Sequence, residues 1–226
     1  MTTDELDNGN RTDCQTKQVL QKAVYEARKE VLLHEDTFKE IVLTQELLFD
    51  EDTSSDKIRG YIQTISYDPF MVIMFTQAQF EILVSRLKSG KCYLYFDATG
   101  SVISKLGTPK KRVLYYALVI RSDIENDPPL PVAEMFTNDN ATPAISHFLH
   151  TIRHNIVKHF GVRTVPTKIE TDFSWPLIYA SLLIFNREDL PVYLSRAWNI
   201  TTRKYKEPVM AKFTIVHLCA SHMIKK

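Results

Sequence analysis

Two aspartates close strand-like segments of this chain. Tyr93-Leu94-Tyr95-Phe96-Asp97-Ala98-Thr99-Gly100 is a run of apolar strand formers that delivers one carboxylate and then turns. Thr167-Lys168-Ile169-Glu170-Thr171-Asp172-Phe173-Ser174 does the same with Asp172, and a helical pattern begins directly after it. Two carboxylates that share a crevice repel each other and raise one pKa unless a cation lies between them. Hard divalent ions with oxygen ligands, Mg²⁺ or Mn²⁺, suit such a pair. Two ions about 3.5 to 4 Å apart would promote in-line attack on a phosphodiester. Each acid also has a plainer reading. Asp97 can start a turn, and Asp172 or Ser174 can cap the helix that follows.

The elements that must position these acids are read from periodicity. Helical spacing covers Lys17 to Leu33 and again Thr37 to Phe49, and the acidic stretch from Asp50 to Asp56 reads as a linker. A helix is expected over Lys57 to Ile65, with Asp56 as its cap. Thr76 caps another through Gln77 to Leu87, and Ser89-Gly90 stops it. From Lys91 the pattern predicts three strands, Cys92 to Phe96, Ser101 to Lys105 and Val113 to Ile120. The last is apolar at almost every position, as a strand covered on both faces would be. Asp127-Pro128-Pro129-Leu130-Pro131 reads as a stiff connector. Thr142 is expected to cap a helix with Pro143 at its first position, whose apolar stripe runs through Ile145, Phe148, Leu149, Ile152, Ile156 and Val157 to Gly161. The strand to Asp172 and a helix from Trp175 to Ile184 come next, and Val209, Phe213, Val216 and Ala220 trace a last helical face.

Three meandering strands, a helical crossover and a fourth strand are the opening of an RNase H-like fold, in which the fourth strand lies parallel beside the first. The expected class is therefore α/β, a mixed sheet flanked by helices. Residues 1–56 form an acidic, partly disordered and helical region, 57–90 a helical lead-in and 91–187 the RNase H-like core. Residues 188–226 begin a C-terminal helical insertion. Neighbouring strands about 4.8 Å apart would bring Asp97 and Asp172 close together at a topological switch point.

The two aspartate segments, Tyr95 to Val102 and Glu170 to Ser174, resemble the first and second catalytic motifs of Mutator-like DDE transposases. Cys219-Ala220-Ser221-His222 is similar to the Cys-x-x-His element that this family carries between its second Asp and its final Glu. The resemblance covers Asp68 to the C-terminus. It implies metal-dependent DNA cleavage and strand transfer, catalytic and metal-binding roles for Asp97 and Asp172, transposon-end DNA as partner, self-association and a nuclear location. No residue matches the final Glu, since the sequence given stops four residues past His222. The expectation is thus an incomplete site, with Glu188, Asp189 and Glu207 read as surface charges. The alternative is a non-catalytic DNA- or protein-binding module.

Composition agrees with a globular chain: 226 residues, 44% hydrophobic and 24% charged. No apolar run is long enough to span a bilayer, and the N-terminus lacks the order of a signal peptide. Three cysteines cannot build a disulfide framework. The net charge of +1 divides unequally, because residues 1–56 hold 6 Lys/Arg against 14 Asp/Glu, leaving +9 on the remainder. Lys105, Lys110, Lys111 and Arg112 form one candidate phosphate-contacting set and Arg203, Lys204 and Lys206 another. Structural zinc at Cys219 and His222 would need four ligands where two or three are present, so a packed Cys and a surface His are expected. His147, His150, His154 and His159 read as ordinary polar positions of a helix, and Trp175 and Trp198 as packing residues.

Overall fold

The structure is a computed structural model that describes residues 22, 26, 27, 30–50, 58–100, 102, 103, 105, 106, 111–121, 128–204 and 212–220. The chain divides into two compact units, Met1–Glu46 and Leu47–Lys226. Helix α1 (Thr37–Phe49) begins where the sequence predicts, with the Asp36 side chain accepting from the Lys39 amide at 2.9 Å. The stretch expected as a linker lies almost wholly outside the described residues, and so do Lys110, Lys206, Glu207 and His222.

The second unit is built on a seven-stranded mixed sheet. Its strands are β1 (Ile62–Ser66), β2 (Met71–Met74), β3 (Tyr93–Gly100), β4 (Leu114–Ile120), β5 (Leu130–Thr137), β6 (Lys168–Thr171) and β7 (Ile215–Leu218). Their spatial order is β1-β2-β5-β4-β3-β6-β7. The first five in that order run antiparallel to their neighbours, whereas β3, β6 and β7 are mutually parallel. Helices α2 (Gln77–Lys88) and α3 (Thr142–Phe160) pack on the sheet with α4 (Trp175–Ser181), which continues into a π turn at Leu182–Asn186 and is followed by α5 (Leu190–Thr201).

Side-chain alternation separates the two faces of β3. Leu94 and Phe96 point into the core, where the Phe96 ring lies 5.9 Å from Phe148 of α3 and 6.0 Å from Tyr116 of β4. Burying a side chain of this size contributes about 1.5–3 kcal/mol, and the cluster continues through Leu118, Ile145, Leu149 and Ile169. Tyr93, Tyr95, Asp97 and Thr99 take the opposite, exposed face. Capping fixes the helices. Thr76 and Gln79 form a reciprocal capping box at α2, and Gln79 Nε2 donates to the Pro131 carbonyl, tying that helix to β5. Gly161, at φ 64°, ends α3 as its sequence predicts, but the expected cap Thr142 is already the first helical residue, and Ala141 holds the cap position with no side-chain bond.

Several expected elements are different. The segment expected as a helix from Lys57 carries β1, so the lead-in over 57–90 contains a β-hairpin. None of the described residues 102, 103 and 105 lies in the strand expected over Ser101 to Lys105, and β3 itself runs on to Gly100 and pairs directly with β4, from Leu94↔Ile120 to Gly100↔Leu114. The expected connector enters β5, with Pro131 at the register shift opposite Leu118 and Val119, where a missing N–H is tolerated. β4 buries only Tyr116, Leu118 and Ile120 fully, and its intervening residues are half-covered. The expected terminal helical face contains β7 instead, so the sheet extends past residue 188 into the stretch read as an insertion.

Candidate active site

The two aspartates are positioned by one run of parallel pairing. Tyr93↔Lys168, Leu94↔Ile169, Tyr95↔Glu170 and Phe96↔Thr171 are in register between β3 and β6. Asp97 is the next residue on β3 and Asp172 the first residue past β6, so both follow directly from the last paired level of two strands spaced about 4.8 Å apart. The same level continues onto β7, where the Cys219 amide donates to the Thr171 carbonyl at 2.7 Å. Asp97 lies inside β3 rather than at its end, which corrects the strand boundary predicted at Phe96.

The two carboxylates differ in environment. Asp97 is exposed, and its Oδ1 accepts from the Ala98 amide at 2.7 Å. Asp172 is half-buried at the bend that leads into α4, where the Ser174 amide donates to its carbonyl at 2.9 Å. Ser174 holds the cap position of α4, and no side-chain cap bond is made there. The Tyr116 hydroxyl is pushed up to about 12, first by burial and then by the charges of Asp139 and Asp172. Asp139 therefore belongs to the same end of the sheet, a residue that sequence reasoning passed over. Its only local signal is the turn before α3, where its Oδ1 accepts from the Ala141 amide at 2.9 Å.

Around these acids the open face carries further polar groups. Glu170 accepts from Lys168 Nζ at 3.0 Å, and His217 Nδ1 lies 3.5 Å from the same Oε2. Cys219 is half-buried at the end of β7 rather than on a helix, while its expected companion His222 lies outside the described residues. Among the described residues no group of three or more His, Cys, Asp or Glu is arranged to hold a metal ion.

Of the acids beyond Asp172, Glu188 is not a surface charge. Its side chain and that of Arg196 are each 6% exposed, and they join through Arg196 Nε to Oε2 at 3.1 Å and Arg196 Nη2 to Oε1. The Arg196 guanidinium also lies 4.3 Å from the Phe213 ring centroid. Asp189 caps α5 by accepting from the Val192 amide at 3.0 Å.

The two basic sets separate. Lys105, Lys111 and Arg112 are exposed at the β3–β4 connection, the same end of the sheet as the acids. Arg112 is held close over β3, since a Cβ built on Gly100 would meet its Nη2 at 1.9 Å. Arg203 and Lys204 follow α5. Tyr193, early in α5, donates to Val216 of β7, and Arg196, later in α5, stacks on Phe213 ahead of that strand. The helix thus runs antiparallel to β7 and carries Arg203 and Lys204 toward the other end of the parallel strands.

Trp175 and Trp198 are 47% and 65% exposed, not packing residues. Trp175 stands in a surface ladder beside Asp172, its ring 5.1 Å from Phe173 and 5.8 Å from Tyr179. No helix among the described residues is long and apolar enough to cross a membrane. No protein-family model matches the chain, and neither does any curated protein or solved structure.

Proposed function

We propose that the chain is a transposase-derived domain of RNase H-like fold, in which Asp97 and Asp172 are two acids of a DDE-type site for DNA cleavage and strand transfer. The observation that carries this reading is the Phe96↔Thr171 register, which sets the two aspartates at one level of adjacent parallel strands. Support for the fold lies in the order β5-β4-β3-β6-β7. Within it a three-stranded meander is followed by a helical crossover, and the fourth strand lies parallel beside the first.

Oxygen donors on neighbouring strands, one of them exposed, fit a hard divalent ion such as Mg²⁺ or Mn²⁺. Bound there, the metal would supply Lewis-acid activation of a water or 3′-hydroxyl. On this reading Asp97 and Asp172 are its ligands, while Lys105, Lys111 and Arg112 contact the DNA backbone from the adjoining hairpin. Transposon-end DNA as partner, self-association and a nuclear location belong to the same proposal.

A second reading is a non-catalytic DNA- or protein-binding module. The Glu188–Arg196 pair favours it, because that acid is buried in a structural role and is not available as a third ligand. The two readings part in a nicking assay on terminal-repeat DNA. Mn²⁺-dependent nicking abolished by Asp97→Ala and by Asp172→Ala supports the enzyme. DNA binding that both variants retain, with no nicking by any form, supports the module.

A further inference from the structure

A groove on the helical layer gathers positive charge with no acid among its described lining residues. From α3 come His150, Arg153 and His154, and from the far side of the π turn comes Arg187, with Val157 and Leu183 supplying an apolar floor. We propose that this groove is an oxyanion site that takes a phosphoryl group, between the Arg153 and Arg187 guanidiniums with the two imidazoles at its rim. The inference does not depend on the transposase reading.

Both arginines are held in place by backbone. Arg153 is half-buried and donates through Nη1 to the Ile184 carbonyl inside the π turn, which fixes its guanidinium against the groove wall. Arg187 closes that turn in the left-handed region, at φ 56°, a conformation that a non-glycine residue seldom adopts without compensation. Single-turn π segments recur at functional sites. The two cations lie within reach of each other's field: Arg153 is pulled below its ordinary range by burial first and by Arg187 second.

The neighbouring carboxylates do not relieve this repulsion. Glu188 is committed to Arg196, and Asp189 is turned to cap α5. His150 and His154, one helical turn apart, stack with ring centroids 6.1 Å apart and are exposed. Planar guanidinium forks match the paired oxygens of a phosphoryl group, so an anion seated here would screen the arginines and accept from several donors at once.

The test follows the imidazole resonances of the full chain, assigned with His150→Gln and His154→Gln, during titration with inorganic phosphate against chloride at equal ionic strength. The expected result is a saturable shift of both histidines with phosphate alone. Affinity should fall at least about tenfold in Arg187→Gly, which removes the charge while suiting the backbone, and should be largely kept in Arg187→Lys. Shifts that chloride reproduces, or an Arg187→Gly affinity equal to wild type, overturn the proposal. A second arm adds a short DNA duplex. Competition with phosphate assigns the phosphoryl group to a nucleic-acid backbone, and its absence assigns it to a small phosphorylated molecule.

Discussion

The Glu188 carboxylate and the Arg196 guanidinium neutralise each other inside the protein, eight residues apart in sequence and each 6% exposed. Asn186 holds the same acid from the other side, donating to Glu188 Oε1 at 2.8 Å and to the Thr214 carbonyl at 2.9 Å, so the pair fastens the entry to β7. Removing one member leaves a buried, unpaired charge. Glu188→Ala is expected to destabilise the second unit by about 3–5 kcal/mol in urea denaturation. A loss under about 1 kcal/mol would return Glu188 to the pool of available acids.

Alkaline pH should unfold the protein early. Burial raises the Cys92 thiol from 9.0 to about 12 and the Tyr116 hydroxyl from 10.0 to about 12. Tyr61 and Tyr115, which both donate to Glu134, are also raised, by burial first and by that carboxylate next. A group with a raised folded pKa keeps its proton in the native state after the unfolded chain has lost it. Its contribution is complete below pH 9 to 10 and is lost as pH climbs through the folded value, at no more than about 1.4 kcal/mol per pH unit per group. Stability should therefore fall steadily from pH 9 to 12 in urea melts. Tyr116→Phe should flatten that slope, and an unchanged slope would contradict the assignment.

Gly100 leaves room for the Arg112 guanidinium, which is held close over the end of β3 beside the acids. Gly100→Ala displaces only the tip of a flexible side chain, so its thermal stability should remain within about 1 kcal/mol of wild type. If the hairpin meets DNA, Arg112→Ala should lower the salt dependence of binding by about one unit, and Gly100→Ala should weaken binding in the same direction. Equal affinities and slopes in all three proteins would remove Arg112 from the interface.

The ladder of Phe173, Trp175 and Tyr179 is a surface feature, whereas Phe96 and Phe148 are both fully buried. Trp175→Ala should therefore cost about 0.5–1.5 kcal/mol, the worth of its ring contacts. Phe148→Ala should cost about 3–5 kcal/mol through lost burial and a cavity. Chemical denaturation of the two variants side by side checks the contrast, and comparable losses would place Trp175 in the core after all.

Much of this architecture is legible in the residues, and the misses have local causes. α2 announces itself through its cap, α1 and α3 through helical periodicity and β4 through its apolar run, β6 is marked by the Asp172 segment and the helical pattern directly after it, and the αL glycine at 161 marks its helix end correctly. β1 and β7 are only five and four residues long, too short for a period of 2 to be told from 3.6. β5 is masked by Pro131, which reads as a strand breaker until the register shift that accommodates it is seen. That Asp97 and Asp172 come at the close of strand-like segments follows from sequence, but their common level needs the β3–β6 register. Glu188 could not be placed, because nothing local marks its pairing with an arginine two helical turns on. Asp139 and the Arg153–Arg187 groove arise from tertiary approach and leave no motif.

The most direct measurement is Mn²⁺ titration followed by paramagnetic broadening of backbone amides. If Asp97 and Asp172 share a cation, the signals of Ala98 and Phe173 broaden first and together, and both are spared in Asp97→Asn and in Asp172→Asn. Broadening centred elsewhere, or persisting unchanged in both variants, would contradict a shared site and with it the proposed transposase origin.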